Sequence, residues 1–193
     1  YTDENMEEYL KEPLTKERAL EWIINVSKHT WPPVNKVLAY SYIQRNNMCF
    51  LAGRLQEDMD WVSRICYTAE TFSFCSKPWY YYRQKRQGSI MNSIKAKNII
   101  DVIEMAAKHF DYNEQHKTQV SKLVLDRIMA SVYMKINEIK KCSEEDKQKV
   151  IECIDANKKI FKIAPALKYK IFVVAMKIVG TKNAIRMMDK ING

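Results

Sequence analysis

The stretch Ser143–Phe161 reads SEEDKQKVIECIDANKKIF and carries the signature of an amphipathic helix. Ser143 is a residue type that caps helix N-termini, and the three acids after it favour the positive end of the helix dipole. Apolar residues recur at helical spacing in most of the chain after Ser93, and Gly180 is well placed to end one of the helices. The segments 94–110, 114–141, 143–161, 165–179 and 183–191 therefore predict a bundle of about five helices.

Size and composition favour a mainly helical protein. The chain has 193 residues, of which 47% are hydrophobic, and this is enough to bury one sizeable core with an appended subdomain. Only 4 Gly and 5 Pro are present, too few for the many turns of a β-sandwich. The composition therefore argues against a β-sandwich or a loop-rich fold.

The first half of the chain predicts helices interrupted by short strands. Helical patterns cover 3–28, 34–43 and 58–69, and Trp31-Pro32-Pro33 ends the first of them. Short apolar or aromatic runs at 48–53, 71–75 and 78–83 are bounded by turn residues, which is typical of strands. We therefore expect a mainly α (α+β) fold, with a two- or three-stranded element between residues 48 and 91.

Cysteine and histidine usage indicates a reduced protein without a zinc site. The five cysteines are odd in number and have no Cys-x-x-Cys spacing, and the three histidines do not pair at metal-ligand spacing. Cys142 and Cys153, eleven residues apart, are interpreted as buried thiols. A cytoplasmic location is expected because reduced thiols persist there.

Positive charge is concentrated at the C-terminal end. The net charge is +9, and from Lys158 to Gly193 nine Lys and Arg residues stand against one acid, a net charge of +8. Such a tail indicates an anionic partner, either nucleic acid or a phospholipid surface. The apolar run 171–176 is far shorter than the roughly 20 residues of a spanning helix. The apolar residues of 158–170 and 177–190 either pack into the bundle or contact a membrane, and the sequence leaves both open.

One motif block carries chemistry. Glu57-Asp58-Met59-Asp60-Trp61 is followed, about twenty residues later, by Tyr80-Tyr81-Tyr82-Arg83-Gln84-Lys85-Arg86-Gln87-Gly88-Ser89-Ile90-Met91. Order, spacing and residue types over about 31–95 closely resemble the C-terminal motif block of family 2 (GT-A type) glycosyltransferases of bacterial surface-polysaccharide synthesis. Asn35-Lys36 and the Phe50-x-x-Gly53 run also resemble that family. The resemblance implies residues 1–93 as the C-terminal part of a GT-A catalytic domain and 94–193 as a helical accessory domain.

The resemblance also implies roles for individual residues. Inverting sugar transfer needs a carboxylate that takes the proton of the acceptor hydroxyl, and the family's base maps onto Asp58. Glu57 beside it would orient the site. Trp61 would stack on a sugar ring and Asp60 would lie on the substrate side, although Asp58-Met59-Asp60 is interpreted as a coincidental Asp-x-Asp. Plain structural roles remain open: acids at a helix N-terminus and a core tryptophan.

Further residues are candidates for contacts with substrate. Arg83, Arg86 and Ser89 would contact the donor diphosphate, because guanidinium groups and turn hydroxyls match phosphate oxygens. Asn35 and Lys36 would help to form the donor or acceptor cleft. The alternatives are solvated arginines and an ordinary turn. No metal ligand is assigned in this chain.

The sequence departs from the family in one large respect. No Asp-x-Asp precedes Trp31, and the chain begins at Tyr1 instead of Met, so we expect an excised or processed piece that is inactive alone. The implied partners are a nucleotide-sugar donor with Mg²⁺ or Mn²⁺, bound mainly by another half, and a glycan or lipid-linked acceptor. The implied location is the cytoplasm, peripheral at the inner face of the membrane. The competing hypothesis is a non-enzymatic basic helical domain that binds nucleic acid or acts as a scaffold.

Overall fold

The computed structural model describes residues 15–26, 31–75, 80–81 and 96–191. Regular secondary structure in these ranges consists of α-helices with short 3₁₀ and π-helical turns, and they contain no strand. The described residues fall into two compact units, one within residues 1–53 and 57–87 and the other within 54–56 and 88–193. The predicted boundary at 93/94 lies outside the described residues.

The described residues of the first unit form three short helices. Helix α1 (Lys16–Glu21) begins at Thr15, whose hydroxyl accepts a hydrogen bond from the Arg18 amide at 3.3 Å, and continues as a π-helical turn, Trp22–Val26. A 3₁₀ turn (Pro33–Asn35), helix α2 (Tyr40–Arg45) and helix α3 (Glu57–Thr68) follow. The apolar core of this unit includes Leu20, Ile24, Met59, Val62, Ile65 and Cys66.

The predicted β element is wrong within the described residues. The segment 48–53 is irregular and 71–75 pairs with no strand, while of 78–83 only the non-strand residues 80 and 81 are described. The reason is visible at the first segment, where side chains of α3 take the backbone carbonyls. The Arg64 guanidinium donates to the carbonyls of Asn47 and Cys49, and the Trp61 indole donates to that of Met48 at 3.4 Å. A neighbouring strand would need these acceptors.

The second unit is the predicted helical bundle. Its helices are α4 (Ala96–His116), α5 (Gln119–Ile136), α6 (Glu144–Ala156), α7 (Leu167–Val179) and α8 (Thr181–Ile191), and 3₁₀ turns occur at Ile139–Lys141 and Lys158–Lys162. The predicted N-cap is confirmed, since the Ser143 hydroxyl accepts from the Asp146 amide at 3.1 Å. Gly180 ends α7 at a φ of 79°, also as predicted.

A break that the sequence analysis placed differently separates α4 from α5. Helix α4 runs on to His116, after which Lys117 adopts a φ of 50° and Thr118 caps α5. The Thr118 hydroxyl accepts from the Ser121 amide at 3.0 Å, and the Ser121 hydroxyl accepts from the Thr118 amide at 3.1 Å. This reciprocal capping box fixes the turn of the hairpin.

An aromatic cluster joins α5 to α7. Tyr133 is fully buried, stacks on Tyr169 with ring centroids 4.1 Å apart, and meets Phe161 and Phe172 edge to face. Its hydroxyl donates to the carbonyl of Ile163 at 3.1 Å, so its polar end is satisfied. The cluster holds one face of α7 against the bundle.

Residues 54–56 belong to the second unit, and Asp101 of α4 binds the first two of them. Its carboxylate accepts from Arg54 at 3.1 Å, from the Leu55 amide at 2.8 Å and from Lys97 at 2.7 Å. Burial raises the pKa of Asp101, but these three hydrogen bonds outweigh it and hold the pKa below its ordinary value. A buried carboxylate satisfied in this way is a structural anchor.

Candidate functional site

The candidate site begins at the N-terminus of helix α3. Gln56 has a φ of 59°, and the acids Glu57 and Asp58 fill the first turn of the helix. Asp58 is half-buried, and its Oδ1 accepts a hydrogen bond from the Met59 amide at 2.8 Å. Burial raises the pKa of Asp58, the neighbouring Glu57 adds to this effect, and the Met59 hydrogen bond and the charge of Lys36 oppose it. A carboxyl with a raised pKa holds a proton more readily than one in water.

Lys36 brings a cation to this carboxyl from a separate segment of the first unit. Its Nζ donates to the Pro32 carbonyl at 3.0 Å and to Asn35 Oδ1 at 2.8 Å. Burial lowers the pKa of Lys36 to about 8, against the opposing influence of Cys66 and Asp58. The amine is therefore positioned by two acceptors and titrates near physiological pH. Of the predicted residues, Asn35 thus accepts a hydrogen bond from Lys36, and Lys36 lies within electrostatic influence of Asp58.

Cys66 influences the pKa of Lys36 and was not singled out from the sequence. It is 1% exposed, and burial raises its pKa to about 12. Because the thiolate is the reactive form, this thiol is a packing residue and not a nucleophile. The available signal was its position on α3, eight residues, or about two helical turns, after Asp58.

Asp60 forms an ion pair within the first unit. Its carboxylate is 1% exposed and accepts from Arg64 Nε at 3.0 Å, one helical turn away. Arg64 in turn donates to the carbonyls of Asn47 and Cys49. This network fastens the segment before Leu51 to α3. The i,i+4 spacing of Asp60 and Arg64 was the sequence signal for it.

Trp61 is also a packing residue in this structure. It is 7% exposed, donates to the Met48 carbonyl, and stacks on Phe50 with ring centroids 5.2 Å apart. Phe50 is 47% exposed, so it is the outer ring of the pair. A sugar that meets this pair would meet Phe50.

The remaining predicted contacts are not all described. Arg83, Arg86 and Ser89 lie outside the described residues. Of the tyrosine run, Tyr80 and Tyr81 are described, and they are 50% and 94% exposed. Among residues 15–26, 31–75, 80–81 and 96–191, no group of three or more His, Cys, Asp or Glu side chains forms a site for a metal ion.

Comparison with known proteins does not assign the chain to a family. No family model, curated protein or solved structure matches it. In the described part of the chain, every helix is too short or too polar to cross a membrane.

Proposed function

We propose that this chain supplies the catalytic base and the acceptor side of an inverting glycosyltransferase that uses a nucleotide-sugar donor. The observation that carries the proposal is the electrostatic influence that Asp58 and Lys36 exert on each other. Two segments that the motif resemblance selects contribute a half-buried carboxyl of raised pKa and a half-buried amine of lowered pKa. Perturbed acid–base pairs of this kind are concentrated at functional sites.

In the proposed reaction, the acceptor hydroxyl attacks the anomeric carbon as Asp58 takes its proton. The new glycosidic bond forms while the bond to the nucleoside diphosphate breaks, and the diphosphate leaves with the electron pair. A base is most effective when its pKa lies near the operating pH, so the burial that raises the pKa of Asp58 favours this role. Oδ1 is oriented by the Met59 amide.

Lys36 has a supporting role in the proposal. With a pKa of about 8, its amine is mostly protonated at pH 7 and stabilises ionised Asp58 before proton transfer. The same amine donates hydrogen bonds, so it also suits an acceptor hydroxyl or a donor phosphate oxygen. Asn35 holds the amine through its side-chain oxygen.

The described residues do not fit a divalent-metal site at Asp58. Asp60, which completes the literal Asp-x-Asp spacing, is buried and paired with Arg64. No step is therefore assigned to a metal held by this pair. In the proposal, Mg²⁺ or Mn²⁺ and the nucleotide are held by another half of the enzyme, with Arg83, Arg86 and Ser89 on the phosphates. The acceptor is a glycan or lipid-linked glycan of bacterial surface-polysaccharide synthesis.

Substitution of Asp58 in the full-length gene product tests the proposal. Asp58→Asn keeps the shape of the side chain but removes its basicity, so we expect kcat to fall by roughly two to four orders of magnitude with little change in donor affinity. Glu57→Gln should have a smaller effect. Glu70→Gln, on the surface of the same unit, is the matched control for loss of one carboxylate. Near-normal turnover of Asp58→Asn would remove Asp58 from the mechanism.

A further inference from the structure

Helix α7 carries apolar side chains on both of its faces. Tyr169, Phe172 and Met176 are buried against the bundle. The side chains that point away from the bundle are also apolar, and their exposed fractions are 74%, 57%, 54% and 76% for Leu167, Ile171, Val174 and Ile178. Large apolar residues scattered singly over a surface are ordinary, but four on one helix face form a patch that indicates a binding surface.

The four exposed residues form one continuous line. They follow each other at spacings of four, three and four, so at 3.6 residues per turn they lie on a single face opposite the buried one. From Leu167 to Ile178 this line is about 17 Å long at 1.5 Å per residue. We refer to Leu167, Ile171, Val174 and Ile178 as the outer face of α7.

Lysines border the outer face on both sides. By helical angle, Lys168 lies on one side of it and Lys170 and Lys177 lie on the other, and all three are exposed. Helix α7 contains no Asp or Glu. None of the three lysines forms an ion pair with a residue that the structure describes, and the Lys168 amine lies 5.0 Å from the centroid of the Tyr169 ring. From Lys158 to Met188 the sequence itself contains no acid.

We propose that the outer face of α7 docks on an anionic lipid surface, with the helix lying in the plane of the membrane. Leu167, Ile171, Val174 and Ile178 would enter the boundary between headgroups and acyl chains. The flanking lysines would place their amines at the lipid phosphates, because long cationic side chains extend to the headgroup level. An acid-free helix whose apolar line is bordered by Lys168 on one side and by Lys170 and Lys177 on the other is complementary to such a surface in charge and shape.

A second copy of the chain is a poorer occupant of this face. Two outer faces packed together would bring the three flanking lysines of one helix close to those of the other. Helical pairs of this kind are stabilised by acids opposite the lysines, and α7 supplies none. Docking of α7 on a lipid surface does not depend on Asp58, so a failure of the proposed glycosyl transfer would leave it unaffected.

Vesicle flotation with the full chain tests the inference. We expect binding to vesicles that contain phosphatidylglycerol, none to phosphatidylcholine alone, and weaker binding as salt rises, because salt screens exposed charges. Ile171→Gln/Val174→Gln should lower binding about tenfold or more, since it removes the apolar contact. Met134→Gln, which changes a 61%-exposed apolar residue of α5, is the control and should leave binding unchanged.

A second pair of variants tests the lysines at equal net charge. Lys170→Gln/Lys177→Gln should lower affinity for anionic vesicles by about tenfold or more, given the contribution of each lysine near such a surface. Lys140→Gln/Lys141→Gln removes two exposed cations from another part of the same unit and should have a clearly smaller effect. Equal losses from both pairs would show that binding follows net charge alone and would overturn the inference.

Three other results would also overturn it. The first is absence of binding to anionic vesicles by the unmodified chain. The second is a lower melting temperature of Ile171→Gln/Val174→Gln, which would show that the outer face is packed within the fold. The third is a dimer or a complex with duplex DNA that this variant abolishes while vesicle binding stays unchanged.

Discussion

The lowered pKa of Lys36 makes the stability of the first unit depend on pH in a defined window. The amine loses its proton near 8 in the folded chain and near its ordinary value of 10.5 in the unfolded chain. Between these values the unfolded chain binds more protons, so the free energy of unfolding rises with pH through the window. Below pH 8 the amine is charged in both the folded and the unfolded chain, so the folded chain bears the full free-energy cost of burying that charge.

The size of this effect follows from the two pKa values. A drop from 10.5 to about 8 corresponds to about 3 kcal/mol. Because Lys36 is only half-buried, solvent screening reduces the expected change to on the order of 1–2 kcal/mol. Lys36→Met removes the titration, so the unfolding free energy of the unmodified chain minus that of the variant should rise by this amount between pH 7 and pH 10.5.

The difference in unfolding free energy between the unmodified chain and Lys36→Met is more informative than either value alone. Tyr42 and Cys66, whose pKa values are raised by burial, are present in both proteins, and their contributions largely cancel. The variant also loses hydrogen bonds to Pro32 and Asn35, each worth about 1 kcal/mol, but most of this loss does not vary with pH. The slope of the difference with pH is therefore the quantity to compare.

Urea unfolding followed by tryptophan fluorescence is the assay. All four tryptophans precede residue 88, so their emission follows the first unit. Lys16→Met, which removes a cation beside Glu70 on the same unit, is the control and should give a much flatter difference. A difference for Lys36→Met that stays constant from pH 7 to pH 10.5 would refute the reasoning, as would a Lys36 Cε NMR signal that titrates near 10.5.

The remaining predictions concern packing, the donor and the coupling at the site. Arg64→Ala removes the guanidinium that pairs with the buried carboxylate of Asp60, and we expect urea unfolding to show a loss of about 2–3 kcal/mol; a loss below 1 kcal/mol would contradict the network. Tyr133→Phe removes only the hydrogen bond to Ile163, so unfolding followed by circular dichroism should show a free energy of unfolding about 1 kcal/mol lower. An unchanged value would mean that the bond does not contribute to stability. Calorimetry of this chain with UDP- or GDP-sugars and Mn²⁺ should show at most millimolar affinity; micromolar binding would place the donor site here. Asp58→Asn should lower the pKa of Lys36 further by NMR, since the charge of Asp58 raises it, and an unchanged value would separate the two residues.

Local signals predicted the helices well. Ser143 caps α6 and Gly180 ends α7 as expected, because caps and apolar periodicity act within one or two turns of the chain. The boundaries differ where a second local signal was missed, as at Thr118, whose partner Ser121 completes a capping box. Helix existence was thus readable from the sequence, and helix ends were readable only in part.

The strand prediction at 48–53 failed for a reason that local sequence does not contain. The apolar run suits a strand, but the carbonyls of residues 47–49 are satisfied by Trp61 and Arg64, which lie more than ten residues later. A strand exists only if a partner strand takes those groups. Two candidates for substrate contact take part in holding this segment. Trp61 donates to the Met48 carbonyl, and Asp60 pairs with Arg64, which donates to the carbonyls on either side.

The sequence by itself determined the mainly helical class and the helices between residues 96 and 191, and its selection of the segments around Asn35 and Asp58 stays a prediction. Only the tertiary structure decided that Lys36 lies within electrostatic reach of Asp58, that Asp60 is buried with Arg64, and that α7 turns an apolar face outward. The physical reason is range. A helix forms through hydrogen bonds four residues apart, whereas a pKa or the exposure of a side chain depends on which distant segments exclude water from it.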